Sequence, residues 1–536
     1  MNIAAPGVLP GRRPDTPWQR LIAAANALTP LRVGLIAFIY TLLVGLLVQL
    51  VVLPHLLPAW HAGHGLLANR DWVYFHQLAS TVSERISEHG WGTWELRPEG
   101  QAVAGIMAIF YTLFTAEPWT VLPLYCLLYA ISVTILFLFA RSLLGNPAAA
   151  ALATLPCLLL PSAATIYAQP HKDAFVLFGL LSVCWAAIRV SQTRHSLADT
   201  LIGLPLSWLG LLAVWMMRPY LLQVLEAAGL IVFVVAVINA SLRLRTGIRH
   251  PSDFARQALL PILLSALVWL PCNQLKRIDN NVDPAGAQAR LAEIKAEKAR
   301  LAAAEAAKKQ AALQVASVVA PAPKPAPEPP PATPPAPAPV AQTAPPIPTP
   351  APPPVPVVPK VEIRDWQPST WLPPKLDGVF YTLAKTRDGF RTTKGGSNID
   401  AEVKFESAED VLSYIPRAMQ LALLSPFPSL WFSQGSHASG TLERRIGGLE
   451  MLLVYVALGG IIPAAKRWWR RREFCVPLLV ALPLLLTYGL TIVNVGTLYR
   501  LRYPMELLIM TIGLAGYLGM YLARRQPPPA TPAAAA

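Results

Sequence analysis

Between residues 31 and 523 the chain returns again and again to apolar runs of about 17–23 residues, separated by short charged or proline-containing loops. A helix of that length matches the ~30 Å hydrocarbon core of a bilayer, at ~1.5 Å per residue. No water is present there to satisfy backbone groups, so such runs must be helices with internal hydrogen bonds. Composition agrees: 54% of the 536 residues are hydrophobic and 14% are charged, too few charges to cover a soluble protein of this length. The expected fold class is an all-α polytopic membrane protein.

Loop charge orders the runs, because cytoplasmic loops carry the excess of Lys and Arg. The basic loops 189–195, 243–256 and 466–472 fall on one side only if the run 102–115 does not cross. At about 14 residues that run is short for a crossing, so it is read as a dip into the outer interface. The order is then 31–53 outward, 121–140 inward, 147–160 outward, 174–190 inward, 201–217 outward, 221–240 inward and 254–270 outward. The runs 447–465, 474–493 and 505–523 complete about ten crossings, with tails 1–30 and 524–536 both cytoplasmic. Pro156 interrupts the short run 147–160. The basic N-terminus lacks a small-residue cleavage site, so the first span reads as retained.

The net charge of +15 lies largely in loops beside spans, which argues against nucleic acid as a partner. Cys126, Cys157, Cys184, Cys272 and Cys475 are scattered without metal or disulfide spacing.

Residues 31–270 form an N-terminal membrane module with an outer first loop at 54–120, and 447–523 form the C-terminal helices. Between them, 271–360 holds an Ala/Lys/Glu helix (285–315) and a Pro-rich tether (321–359). The tether reads as an extended spacer, a docking site for an envelope-assembly protein, or a tolerated low-complexity insertion. Residues 361–446 read as a small α+β cap. Gly395-Gly396-Ser397-Asn398 is a turn before the alternating stretch 399–405, and Ser407 with Asp410 is a capping box for a helix to about Leu424. Pro416 is expected to kink or split that helix, and Pro426 and Pro428 to end it.

The informative residues are charges on the outer side, tight against spans: Arg70, Asp71, His76, Glu95, Arg97 and Glu99; His171-Lys172-Asp173; Arg218; and Arg500 with Arg502 after Tyr499. Outer cations in short loops oppose the insertion bias, and juxtamembrane ions are functional candidates. Several cations with a few carboxylates suit an anionic ligand whose phosphate is held by Arg and Lys. Simpler roles stand beside this: Arg218 snorkelling to headgroups, Arg500 and Arg502 on anionic lipid, and His76 as an interfacial hydrogen-bonded group. Asp71 paired with Arg70, and Asp173 paired with Lys172 or capping its helix, are the simpler roles for the acids. His55, His61 and His64 form a weak metal candidate.

A first span followed by an outer-loop Asp and a short helix, Asp71-Trp72-Val73-Tyr74-Phe75-His76, resembles the GT-C superfamily of membrane glycosyltransferases. The segment Leu96-Arg97-Pro98-Glu99-Gly100-Gln101, His171-Lys172-Asp173 in a later loop, and the terminal Gly496-Thr497-Leu498-Tyr499-Arg500-Leu501-Arg502-Tyr503-Pro504 are similar to motifs of that group and its bacterial envelope relatives. The likeness covers about 31–270 and 447–523. It implies a GT-C-like fold in a bacterial inner membrane and transfer of a sugar from a polyprenyl-phosphate carrier to a glycan, lipid or protein acceptor on the periplasmic face. Asp71 and Asp173 would be the catalytic acids: Asp71 the general base or a ligand of a divalent metal such as Mg or Mn, and Asp173 the counterpart of the second-loop acid, the other weak metal candidate. Arg70, Tyr74, His76, Arg97, Glu99, His171, Lys172, Arg218, Tyr499, Arg500 and Arg502 would line the substrate and its phosphate. The first loop carries one acid beside Arg70 where many members carry a pair, which fits a base better than a metal site.

Two other classes compete. A flippase or transporter for a lipid-linked glycan predicts polar groups near the midplane and internal repeats; few buried charges and no repeat are evident, which favours the enzyme. A non-catalytic scaffold would make the Pro-rich tether its essential part.

Overall fold

The computed structural model describes residues 16–68, 71–190, 197–245, 263, 266–272, 274–275, 366–392, 397–434 and 438–525. Arg70, the 285–315 helix, the Pro-rich tether and most of the 254–270 run lie outside the described residues. Helix accounts for 82% of the structure, with no strand among the described residues. The protein is an all-α membrane protein. Among the described residues, six helices are long and apolar enough to cross a bilayer: Pro30–Leu56, Pro118–Leu144, Thr200–Met217, Gly440–Trp468, Arg472–Thr491 and Val495–Arg524. A bent pair, Pro147–Leu159 with Pro161–Tyr167, makes a seventh if it counts as one span.

In chain order the helices are α1 (Pro17–Asn26), α2 (Pro30–Leu47), α3 (Asp71–His89), α4 (Ala102–Leu113), α5 (Leu122–Leu144), α6 (Pro147–Thr154), α7 (Pro156–Leu159) and α8 (Pro161–Tyr167). Then follow α9 (Asp173–Val190), α10 (Leu197–Met217), α11 (Leu221–Arg245), α12 (Pro374–Arg391), α13 (Ala408–Leu424) and α14 (Pro428–Trp431). The last three are α15 (Ala438–Trp468), α16 (Arg472–Thr491) and α17 (Val495–Arg524).

The run 102–115, expected to dip rather than to cross, is a short helix. Helix α4 has 12 residues, ~18 Å of rise, and packs along α3. The break in the 147–160 run also sits later than Pro156. Helix α7 continues past that proline to Leu159, and the 74° bend comes at Leu160. Leu160 has ψ 131°, the extended conformation that the following Pro161 favours.

Small residues let the long helices approach closely, as helices must where lipid offers no hydrophobic drive. A methyl group on Gly513 of α17 would lie 1.9 Å from the Ala457 carbonyl of α15, and one on Gly516 would lie 2.1 Å from that of Gly460. Substitution at either position pushes α15 and α17 apart.

Among its described residues the cap is helical, with no strand, where an α+β cap was expected. Ser407 and Asp410 form the expected capping box, and Ser425 ends α13 before Pro426. Helix α13 runs unbroken across Pro416, because Val411, Ala418, Leu421 and Ala422 are buried on the bundle and hold both halves in line. The stretch 399–405 forms no strand because its carbonyls are already used. Arg387, 1% exposed, donates to Val403 O (3.2 Å), Asp400 O (2.7 Å) and Leu490 O at the end of α16 (3.0 Å). Its guanidinium lies between Phe405 and Tyr414, 4.8 and 4.7 Å from their ring centres. Ile399 N–H donates to Val493 O and Val495 N–H to Ser397 O, so the cap is tied to the entry of α17.

Candidate functional site

Four segments distant in sequence meet at one end of the bundle: the first turn of α3, residues 171–173 at the start of α9, the α10–α11 turn, and the first turns of α17. The last was expected to be a loop. Asn494 instead caps α17 by accepting from Thr497 N–H (3.0 Å), so the helix begins ten residues before the apolar run at 505. Tyr499, Arg500 and Arg502 are therefore helical, and helical phase separates them.

Arg500 reaches Asp71: Nη1 lies 3.0 Å from Oδ2, with the side chains 34% and 57% exposed. Asp71 thus pairs with a cation 429 positions away. Arg502, roughly 200° further round the helix, points the other way. It is 1% exposed, donates to the Ala422 carbonyl at 2.7 Å, and lies 3.3 Å from Glu506. Arg502 holds α13 to α17 and does not reach the site.

Asp173 makes a buried knot. Arg218 donates to one carboxylate oxygen, and His171 Nδ1 lies 2.7 Å from the other; Asp173 is 1% and Arg218 5% exposed. Burial pushes the Asp173 carboxyl up, but Arg218 and His171 outweigh it and hold it below the usual carboxylate range. Burial lowers His171 against the pull of Asp173, and burial together with Arg218 lowers Lys172. With both oxygens engaged, Asp173 ties α9 to the α10–α11 turn at the border of the second cavity. Its expected partner Lys172 instead sits 5.5 Å from the Phe75 ring centre.

Two cavities flank the Asp71–Arg500 pair. One, open and about 840 Å³, is lined by Asp71, Tyr74, Phe75, Gln77, Gln101 and Lys172. The other, about 430 Å³, is lined by Trp72, Ser162, Asp173, Tyr499, Arg500 and Tyr503, among others. Asp71 faces the first and Arg500 the second, so the ion pair stands where they adjoin.

The remaining candidates lie at the edge or elsewhere. The Tyr74 hydroxyl donates to Glu99, and burial with that carboxylate pushes the phenol up. Arg97 stacks on Trp215, 4.1 Å from its ring centre, and donates to its carbonyl. His76 turns away from Asp71 toward α4, with Nδ1 2.8 Å from Tyr111 Oη. Burial and the nearby His64 lower His76 to about 4. The expected His55/His61/His64 cluster does not form a ligand set, because His61 Nε2 accepts from Gly65 N–H and His64 pairs with Glu117 (3.0 Å).

The residues do not fit a divalent metal. Asp173 is engaged at both oxygens by Arg218 and His171, Asp71 faces Arg500, and no group of three His, Cys, Asp or Glu side chains among the described residues is arranged to hold an ion.

Sequence reasoning missed Glu450 and Glu506. Both are buried, 4% and 5% exposed, within helices of spanning length, and with Arg502 they overturn the expectation of few buried charges. Their signal was present: an acid inside an apolar run is itself a functional flag. Compared with known proteins, the chain matches no family model, no curated protein and no solved structure.

Proposed function

We propose that the protein is a membrane glycosyltransferase of GT-C type, moving a sugar from a polyprenyl-phosphate carrier to an envelope acceptor at the periplasmic face of a bacterial inner membrane, with both termini cytoplasmic. One observation carries the reading: an exposed carboxylate–guanidinium pair joins two adjoining cavities, one presenting the acid and the other the cation. The donor's phosphate competes with Asp71 for Arg500, because a guanidinium forks onto phosphate as readily as onto carboxylate. Asp71, released, takes the proton of the acceptor hydroxyl as that oxygen bonds to the sugar carbon. The sugar–phosphate C–O bond breaks, and polyprenyl phosphate leaves against Arg500. Lys172, on the acid's side, adds positive charge for an anionic acceptor or product. The buried Asp173–Arg218–His171 knot holds the elements that carry these groups.

A transporter or flippase for a lipid-linked glycan is the second reading, favoured by Glu450, Glu506 and Arg502 buried within spanning helices. Proteoliposomes given a labelled polyprenyl-phosphate hexose and an acceptor separate the two. Transfer releases polyprenyl phosphate and labels the acceptor. Movement of intact donor to the opposite leaflet with no release would replace the enzyme reading with the transporter.

A further inference from the structure

The cavity on the Arg500 side has a wall that this reaction does not use. Glu450 of α15 accepts at both oxygens: from Ser162 N–H at 2.8 Å and from the Tyr499 hydroxyl at 2.5 Å. Ser162 lies just past the bend at Leu160 and Tyr499 in the second turn of α17, 337 positions apart, and both line the cavity. One buried carboxylate therefore ties two walls together. It also decides where the phenol proton points.

We propose that Glu450 sets the hydrogen-bond polarity of this cavity, so that Tyr499 Oη meets a ligand as an acceptor and selects a sugar hydroxyl that donates to it. A phenol has one proton to give. In Tyr499 that proton is committed to Glu450, which leaves lone pairs on Oη for the cavity. The Ser162 hydroxyl, 3.4 Å from Oη, makes a long contact that takes at most one of them. A ligand group that only accepts finds no donor at this point of the wall; a hydroxyl does. That the hydroxyl belongs to a sugar rests on the glycosyl-transfer reading. Glu450 is thus a positioning residue acting through Tyr499.

The test uses the full chain in lipid nanodiscs, titrated calorimetrically with a polyprenyl-phosphate hexose and with analogues carrying fluorine in place of each ring hydroxyl in turn. Fluorine keeps the size and removes the donated proton. For the wild type, one position should lose about tenfold in affinity on fluorination, the scale of one net hydrogen bond. In Glu450→Gln the amide oxygen still accepts from Ser162, but the amide N–H₂ donates to Tyr499 and turns the phenol proton into the cavity. The hydroxyl-over-fluorine preference should vanish or invert at that position alone. Tyr499→Phe, which keeps the ring, should abolish it too and serves if Glu450→Gln does not fold. The same preference at every position in the folded variants, or no preferred position in the wild type, would overturn the proposal. A wild type that discriminates but transfers nothing removes the transferase reading alone; one that transfers without discriminating removes this proposal alone.

Discussion

Two acid–arginine pairs lie at the same end of the bundle and differ in almost everything except composition. Asp173 and Arg218 are 1% and 5% exposed, with His171 closing the remaining carboxylate oxygen. Asp71 and Arg500 are 57% and 34% exposed, each on its own cavity, whereas Asp173 borders the second cavity with both oxygens already paired. Removing one partner of a buried pair strands a charge in a low-dielectric interior, whereas an exposed pair exchanges partners with water or ligand at little cost. The first pair therefore fixes architecture, and the second is available for chemistry.

The comparison breaks most visibly at Arg218. Arg218→Ala strands Asp173, and stability should fall by about 3–5 kcal/mol, read as a large drop in Tm in detergent or loss of monodisperse protein. A Tm within a few degrees of wild type would mean that the knot is not structural. Arg502→Ala comes next. It removes the partner of the Ala422 carbonyl and strands the buried Glu506, for a loss of about 3 kcal/mol, the low end of the same range. Affinity of the folded fraction for a prenyl phosphate should be unchanged, and weakened affinity would return Arg502 to the site.

A smaller effect is set by pH. His76 is held neutral in the folded state, its value lowered from 6.5 to about 4 by burial and by His64. The unfolded chain binds the proton first, so this stabilisation is complete above 6.5 and is lost as pH falls toward about 4. Tm should decline across that window, and His76→Gln should flatten the decline. Smallest of all in stability is Asp71→Asn, expected to cost less than ~1 kcal/mol because its pair is exposed.

Much of this was legible in the sequence, for local reasons. Apolar length placed the spanning helices, and the Ser407/Asp410 box and Pro426 placed both ends of α13, because those signals act within a few residues. The convergence of Asp71, residues 171–173, Arg218 and Arg500 followed from charges that break the insertion bias. What failed depended on phase or on distant partners. Arg500 and Arg502 look alike in a loop, and only a helix begun at Asn494 sends one to Asp71 and the other to α13. The alternation at 399–405 suits a strand, yet Arg387, itself in α12, claims its carbonyls. Glu450 reads as an isolated acid until the bend at Leu160 brings Ser162 to it.

The central claim is that the exposed pair, not the buried one, does the chemistry. Asp71→Asn, purified with its membrane insertion and Tm checked, should be assayed for glycan transfer from a polyprenyl-phosphate sugar. The account predicts a wild-type Tm with transfer reduced by at least ~10²-fold, the scale of a lost general base. Undiminished transfer from the folded variant would contradict it.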